Sequence, residues 1–407
     1  MKSGNKGYWS AAYIRVCMSN MLVFFAFQML LPTLPVYVAE TGGGRSSVGM
    51  VVSLLTFAAV LIRLLTGYAL DHGNRRAIVT AGSLLFMLSA AAYTLSSSLP
   101  WILACSIGLG IGWGILTVAY ATLVSDLIPD GRQGAGMGTF MLFAMVSMAA
   151  GPYAGGWIYG QFGTGVLFVT AAMITGGSLG LILQGGKKTG LRRESAVPSA
   201  GPKPAWAAGM IERTALLPAG LLMVYTFCYG GVLSFAGLFG QDLGIANAGV
   251  FFLLSSAAAM AVRPLAGYLF DAKGHGVVIA PGIILGMTSL FLLSTATGPL
   301  PFIFASVLYG LSFGAVQPYL LAWTVLRAQP ERRGAANSTF LIGMDGGIAL
   351  GSIGLGFWTE ASGYTGMFRG ASAILAFLLI LYVICLVNAG RQRKSKPAMH
   401  PDQVSGH

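Results

Sequence analysis

Charge is what this chain has least of. Only 9% of its 407 residues are Asp, Glu, Lys or Arg, against about 25% in soluble domains. Cysteine is scarce too. Cys17, Cys105, Cys228 and Cys385 stand far apart in apolar segments, which excludes a disulfide framework and a zinc site and leaves them as small buried apolar residues. None of the 4 histidines falls in an apolar span, and the buried acids are unpaired, so no catalytic constellation forms and the chain reads as a non-enzyme. A Gly-x-x-x-x-Gly-Lys-Ser/Thr loop is missing, so ATP is not the expected energy source. No metal or cofactor site is expected.

What is present is apolar. Hydrophobic residues make up 55% of the chain and the mean hydropathy is +0.75. Runs long enough to cross a bilayer are predicted at 12–38, 47–70, 77–97, 100–125, 135–160 and 165–184, then at 215–240, 248–270, 277–297, 300–326, 335–360 and 366–389. The fold class is therefore an all-α membrane protein with twelve transmembrane helices. The one long hydrophilic break, 185–214, carries Gly, Pro and charge without apolar periodicity and reads as a linker. It divides the chain into six-helix halves at 1–184 and 215–390, followed by a polar tail, 391–407, expected to be disordered.

The net charge of +12 reports topology. All Lys and Arg lie in the termini and in alternate loops except Arg15, Arg63 and Arg263, within spans, and Arg45 and Arg369, in loops of the other set. That asymmetry puts both termini and the central loop in the cytoplasm. Nucleic-acid binding would need a basic soluble face with interleaved aromatics, which is missing.

The halves repeat. Arg63-Leu64-Leu65-Thr66-Gly67-Tyr68-Ala69-Leu70-Asp71 returns as Arg263-Pro264-Leu265-Ala266-Gly267-Tyr268-Leu269-Phe270-Asp271, and the same offset pairs Arg132 with Arg332, Thr139 with Thr339 and Phe140 with Phe340. Two equivalent apolar halves suit a transporter that rocks one against the other.

These features resemble the major facilitator superfamily over nearly the whole chain. The family's signature between helices two and three is matched by Gly67…Asp71-His72-Gly73-Asn74-Arg75-Arg76, one residue tighter than usual, with a degenerate copy at Gly267…Asp271-Ala272-Lys273-Gly274. The resemblance implies that Asp71, Arg75 and Arg76 latch the cytoplasmic side. A packing motif of the family's antiporters is matched in part by Gly151-Pro152-Tyr153-Ala154-Gly155-Gly156, with Ser147 where a Gly usually completes it; Gly151, Pro152, Gly155 and Gly156 tilt the expected direction toward efflux. The antiporters' Arg in span four is replaced by Ser106, so any proton coupling must use other residues. Within the family the chain is similar to drug effluxers and exporters of opine-type metallophores.

Charges within spans are functional candidates by default. Arg63, Gly67 and Asp71 share a helix face, and Arg63 lies about 12 Å in from Asp71 at 1.5 Å per residue. Asp345 reaches a similar depth in span eleven, which in the family packs on span two, so Arg63 and Asp345 are expected to meet in one state. The position symmetric to Asp345 is Met145, which leaves Arg263 without such an acid. Two mechanisms follow: Asp345 carries the coupling proton, or Arg63 and Arg263 hold substrate carboxylates. Snorkelling or a purely structural gate is the alternative for all three. Asn20, Gln28, Tyr120, Tyr225, Tyr229 and Gln317 lie on spans one, four, seven and ten, which line the family's central path, and are candidate substrate contacts.

The sequence thus points to a proton-coupled exporter of a small molecule in a bacterial cytoplasmic membrane, its partners a small substrate, protons and the bilayer. The rival readings are an importer of a sugar or organic acid and a non-transporting sensor or assembly partner.

Overall fold

The computed structural model describes residues 9–129, 132–184, 212–329 and 332–395, and among them all regular structure is helical. The elements are α1 (Ala11–Leu30), α2 (Thr33–Glu40), α3 (Arg45–His72), α4 (Arg75–Ala92), α5 (Leu99–Leu127), α6 (Gln133–Gln184), a 3₁₀ turn (Arg213–Ala215), α7 (Leu216–Asp242), α8 (Val250–Lys273), α9 (Gly276–Ser294), α10 (Pro299–Arg327) and α11 (Arg333–Ser395).

Local chemistry sets the breaks. Pro32 has no N–H to continue the ladder, and the Thr33 hydroxyl donates instead to the Met29 and Leu30 carbonyls at 2.7 and 3.0 Å. Such side-chain repair lets a broken helix stay in the membrane, so α1 and α2 form a single crossing. Between α3 and α4 only Gly73 and Asn74 intervene, and Asn74 Oδ1 accepts from the amides of Arg76 and Ala77 at 3.0 and 3.3 Å, capping α4.

Ten helices are long and apolar enough to cross a membrane, and two of them run to 49 and 53 residues. Each of these two reverses at one glycine. Gly163 (φ 80°, ψ 179°) breaks α6 and Gly363 (φ 71°, ψ −179°) breaks α11, in a region open essentially to glycine alone. The reversal shows in the contacts. Ser147 Oγ donates to the Met21 carbonyl and, beyond the break, Ser178 Oγ donates to the Ser19 carbonyl on the same stretch of α1. Twelve passes result, as expected, but the loops anticipated at 161–164 and 361–365 shrink to a single residue each.

The two halves are built alike. A Cβ on Gly114 would stand 2.7 Å from the Ala59 carbonyl oxygen, and one on Gly314 2.6 Å from that of Ala259, so both α5 and α10 lie main chain to main chain on α3 and α8. Large apolar side chains such as Phe57, Leu88, Phe304 and Phe377 are more than half exposed. Their outward belt suits lipid, not water.

Most loops carrying Lys and Arg fall at one end of the bundle, here called the basic end. Of the segment expected as a linker, 185–211 lies outside the described residues. At its close Glu212 is docked: its N–H donates to Thr339 Oγ1 at 2.9 Å, and its carboxylate pairs with Arg332. Helix α11 continues to Ser395, into the stretch expected as tail; 396–407 lies outside the described residues.

Candidate transport site between the halves

The halves meet along two seams, α3 against the first arm of α11 and the first arm of α6 against α8. The repeat makes the seams copies of each other with partners exchanged. At the end away from the basic loops, Gly49 packs on the Ser352 carbonyl and Gly249 on the Pro152 carbonyl, each so closely that a Cβ would collide. One level further in, Ser53 Oγ donates to the Ala349 carbonyl, while Ser256 Oγ donates to that of Met148 at 3.1 Å. At the next level Arg63 forms an ion pair with Asp345, and Arg263 Nη1 faces Met145 Sδ at 3.0 Å.

Those arginines mark the last hydrogen bonds between the halves on the way to the basic end, among bonds whose two partners are both described. Beyond them Gly67 has nothing within 4 Å of where a Cβ would point. At the opposite end the seams are tied further by Arg45 Nη1 to the Thr359 carbonyl at 2.9 Å and Asn247 Nδ2 to the Tyr153 carbonyl at 3.0 Å. The halves are thus pinned at the far end.

The Arg63–Asp345 pair is sheltered, with side-chain exposures of 20% and 9%. Arg63 Nε also donates to Thr117 Oγ1 on α5 at 3.3 Å. Pairing offsets much of the cost of placing two charges at this depth. Arg263 has no such relief. Its Nε is buried without a partner, and a thioether sulfur is only a weak acceptor.

Arg263 opens onto a pocket containing about 690 Å³ of space free of protein atoms, part of it continuous with solvent. Gln28, Met145, Tyr229, Phe251, Tyr309 and Phe313 are among its walls, and among the described residues no Asp or Glu is. Tyr229 stacks on Tyr309 with centroids 6.2 Å apart and lies against Phe313 at 5.0 Å. The Tyr309 hydroxyl is buried without a partner. In the other half Trp113, at the position matching Phe313, stacks flat on Phe27 at 3.8 Å and meets Phe24 edge-on.

Not all the candidates from sequence gather here. Gln28, Tyr229 and Arg263 line the pocket. Tyr120 and Tyr225 are fully buried within their own halves and bond Ser178 and Ser312 at 2.9 and 2.8 Å. Asn20 is 1% exposed with both amide atoms unpartnered. Gln317 Nε2 lies 4.0 Å from Met344 Sδ. In the packing motif, Pro152 lines the pocket, and Gly151 and Gly155 press on Phe25, Gln28 and Met29 of α1. Gly156 seats the Asn247 side chain. Ser106, where an Arg was looked for, bonds the Tyr93 hydroxyl at 2.7 Å inside the first half.

The basic-end signature is arranged within one half. Arg75 pairs with Asp126 at the end of α5 and donates to the Leu70 carbonyl at 3.3 Å; Arg76 is exposed. The Asp71 side chain lies outside the described residues. Sequence reasoning missed Asp126 and Glu212, although acids beside basic loops were the available signal. It also missed Tyr309, which only the fold brings to the pocket.

Two related six-helix halves suited to a membrane, with buried charges on the seams between them, have the architecture of a transporter. The chain belongs to the Major Facilitator Superfamily, whose family model matches residues 16–344. It is 22% identical over 381 residues to the multi-drug resistance efflux pump PmrA of Streptococcus pneumoniae, covering 90% of this chain and 93% of that one. The quinolone resistance protein NorA of Staphylococcus aureus is 21% identical over 137 residues, 34% of this chain and 35% of the relative. Among solved structures, the peptide transporter POT matches with a TM-score of 0.79 at 13% identity, covering 95% of this chain and 96% of that one. The human organic anion transporter MFSD10 matches at 0.64 and 17% identity, covering 91% and 98%. At such identities the structural matches show the fold alone.

Proposed function

We propose that the protein exports a small organic molecule from the cytoplasm in exchange for protons. The basic end and both termini face the cytoplasm, in a bacterial plasma membrane. Halves 1–184 and 215–390 act as the two rocking bodies, joined by the linker 185–214.

One observation carries this reading: the Arg63–Asp345 ion pair joins the halves at mid-depth. Asp345 is the proton carrier. Ionised, it is held by Arg63 in the conformation whose halves are pinned away from the basic end, and the pair presents little net charge to the membrane. Protonation removes the charge that holds it to Arg63 and so changes the relative stability of the two conformations, which is what coupling requires. Substrate enters from the cytoplasm when Asp345 has lost its proton. After rocking and release outside, Asp345 takes up a proton and carries it back. The likeness to PmrA and NorA, named for drug efflux and resistance, and the partly matched packing motif at Gly151–Gly156 support the outward direction.

The test pairs metabolite profiling with flux. Mass spectrometry of cells and spent medium, with and without the gene, should find a compound that accumulates inside the deletion strain. In inverted vesicles a pH gradient should drive uptake of that compound by the wild type and not by Asp345→Asn. Depletion from the medium by wild-type cells alone would reverse the direction, and gradient-driven flux through Asp345→Asn would remove Asp345 as carrier.

A further inference from the structure

The repeat supplies an internal control for what Arg263 lacks. At the Arg63 position of one seam the chain provides a carboxylate; at the identical position of the other it provides Met145, and the guanidinium is left with a thioether. Arg263 is a cation with a buried, unpartnered Nε and, among the described residues, no acid on the walls around it. A desolvated charge in that position is costly unless compensated, and its planar fork matches a carboxylate. The same pocket holds a second orphan, the Tyr309 hydroxyl, which can donate to an anionic oxygen. The remaining walls are largely aromatic, with Tyr229, Phe251 and Phe313 packed around Tyr309.

We propose that this pocket binds an amphiphilic organic monoanion, its carboxylate on Arg263 and its ring-bearing body against Tyr229, Phe251, Tyr309 and Phe313. This names the substrate class of the transport site and rests on the export reading above. A single carboxylate follows because Arg63, the guanidinium at the matching position of the other seam, is occupied by Asp345. The expectation that Arg63 and Arg263 both hold substrate carboxylates is thereby narrowed to Arg263. A cation would meet Arg263 with no wall acid to offset it, and a neutral ligand would leave the charge uncompensated. In effect, the ligand supplies to the second seam what Asp345 supplies to the first.

The experiment is equilibrium dialysis of the purified full-length protein in lipid nanodiscs, with empty nanodiscs as the blank. The probes are naphthalene-2-carboxylate and its uncharged isostere, naphthalene-2-carboxamide. The wild type should bind the carboxylate at least tenfold more tightly than the amide. Arg263→Gln should reduce that preference below twofold while leaving amide binding in place. Met145→Glu, which installs an internal acid opposite Arg263, should abolish the preference in the same way. Equal affinity for the two probes in the wild type, no saturable binding of either, or a preference that survives Arg263→Gln would each overturn the proposal. The wild-type comparison needs no variant to fold. Direction of flux does not enter the measurement, so an importer of carboxylates would pass here and fail the export test.

Discussion

The seam between α3 and α11 and the seam between α6 and α8 descend from one sequence pattern and have opposite chemistry. The first is complete: an arginine, an aspartate, a serine-to-carbonyl bond and a glycine-to-carbonyl contact follow in order along it. The second keeps all of these but the acid. Where Asp345 stands in one, Met145 stands in the other, and the missing carboxylate coincides with a pocket. Duplication gives a two-body machine its symmetry, but equivalent seams cannot tell ion from substrate. On the function and ligand proposed above, one substitution would divide the roles, with Asp345 completing the first seam and a bound carboxylate the second.

Breaking the complete seam should have the largest effect. Asp345→Asn leaves Arg63 without its counter-charge, and gradient-driven transport should fall more than a hundredfold, about 3 kcal/mol in the barrier, as measured in inverted vesicles. Thermal stability in detergent should drop as well, because removing one member of a buried pair costs about 3 kcal/mol or more. A fully active Asp345→Asn would end the comparison.

Making the second seam copy the first comes next. Met145→Asp should pair with Arg263 and lower substrate flux at least tenfold while raising the melting temperature. A melting temperature below wild type would mean the two guanidiniums are not geometrically equivalent. A smaller effect is expected at the far end, where Gly49→Ala and Gly249→Ala force a methyl against the Ser352 and Pro152 carbonyls. Each should cut transport several-fold and raise thiol labelling of a cysteine placed at Ser46. Unequal effects would show which seam bears more of the closure.

The smallest effect is expected at Glu212. Hydrogen bonding from Arg332, and then from Thr214, holds its carboxyl below the usual carboxylate range. A lowered value means this contribution is present above the unfolded-state pKa and is lost as pH falls through the folded one. The stability difference between wild type and Arg332→Gln should therefore shrink on acidification, followed by thermal melts from pH 7 downward. A difference unchanged with pH would place the stabilisation elsewhere.

Much of this was readable beforehand, because the signals were of kinds a one-dimensional pattern keeps. Length and hydropathy define twelve spans, and a fixed offset aligns Arg63 with Arg263 and Asp345 with Met145. The pattern failed where function depends on which side of a helix faces inward. Tyr120 and Tyr225 lie on spans four and seven, as lining residues should, yet each bonds a serine in its own half. Their hydroxyls are tied up within their own halves, and in an apolar helix with polar residues on several faces nothing in the sequence says so. Tyr309 is the converse, an unremarked residue of span ten turned into the pocket. The turns at Gly163 and Gly363 were also hidden, since hydropathy marks where a span weakens but not how few residues a reversal needs.

The far-end contact of Gly49 with Ser352 has a mechanical consequence. It is main chain on main chain with no side chain to deform, so it behaves as a fulcrum with almost no play. Along α3, Arg63 lies about 21 Å from it and Asp71 about 33 Å, at 1.5 Å per residue. Each degree of rocking about Gly49 displaces Arg63 by about 0.4 Å and the basic end by about 0.6 Å on those same lever arms. Turning about this contact can therefore close the basic end in a few degrees, whereas opening at the far end begins only when the Gly49–Ser352 contact itself parts.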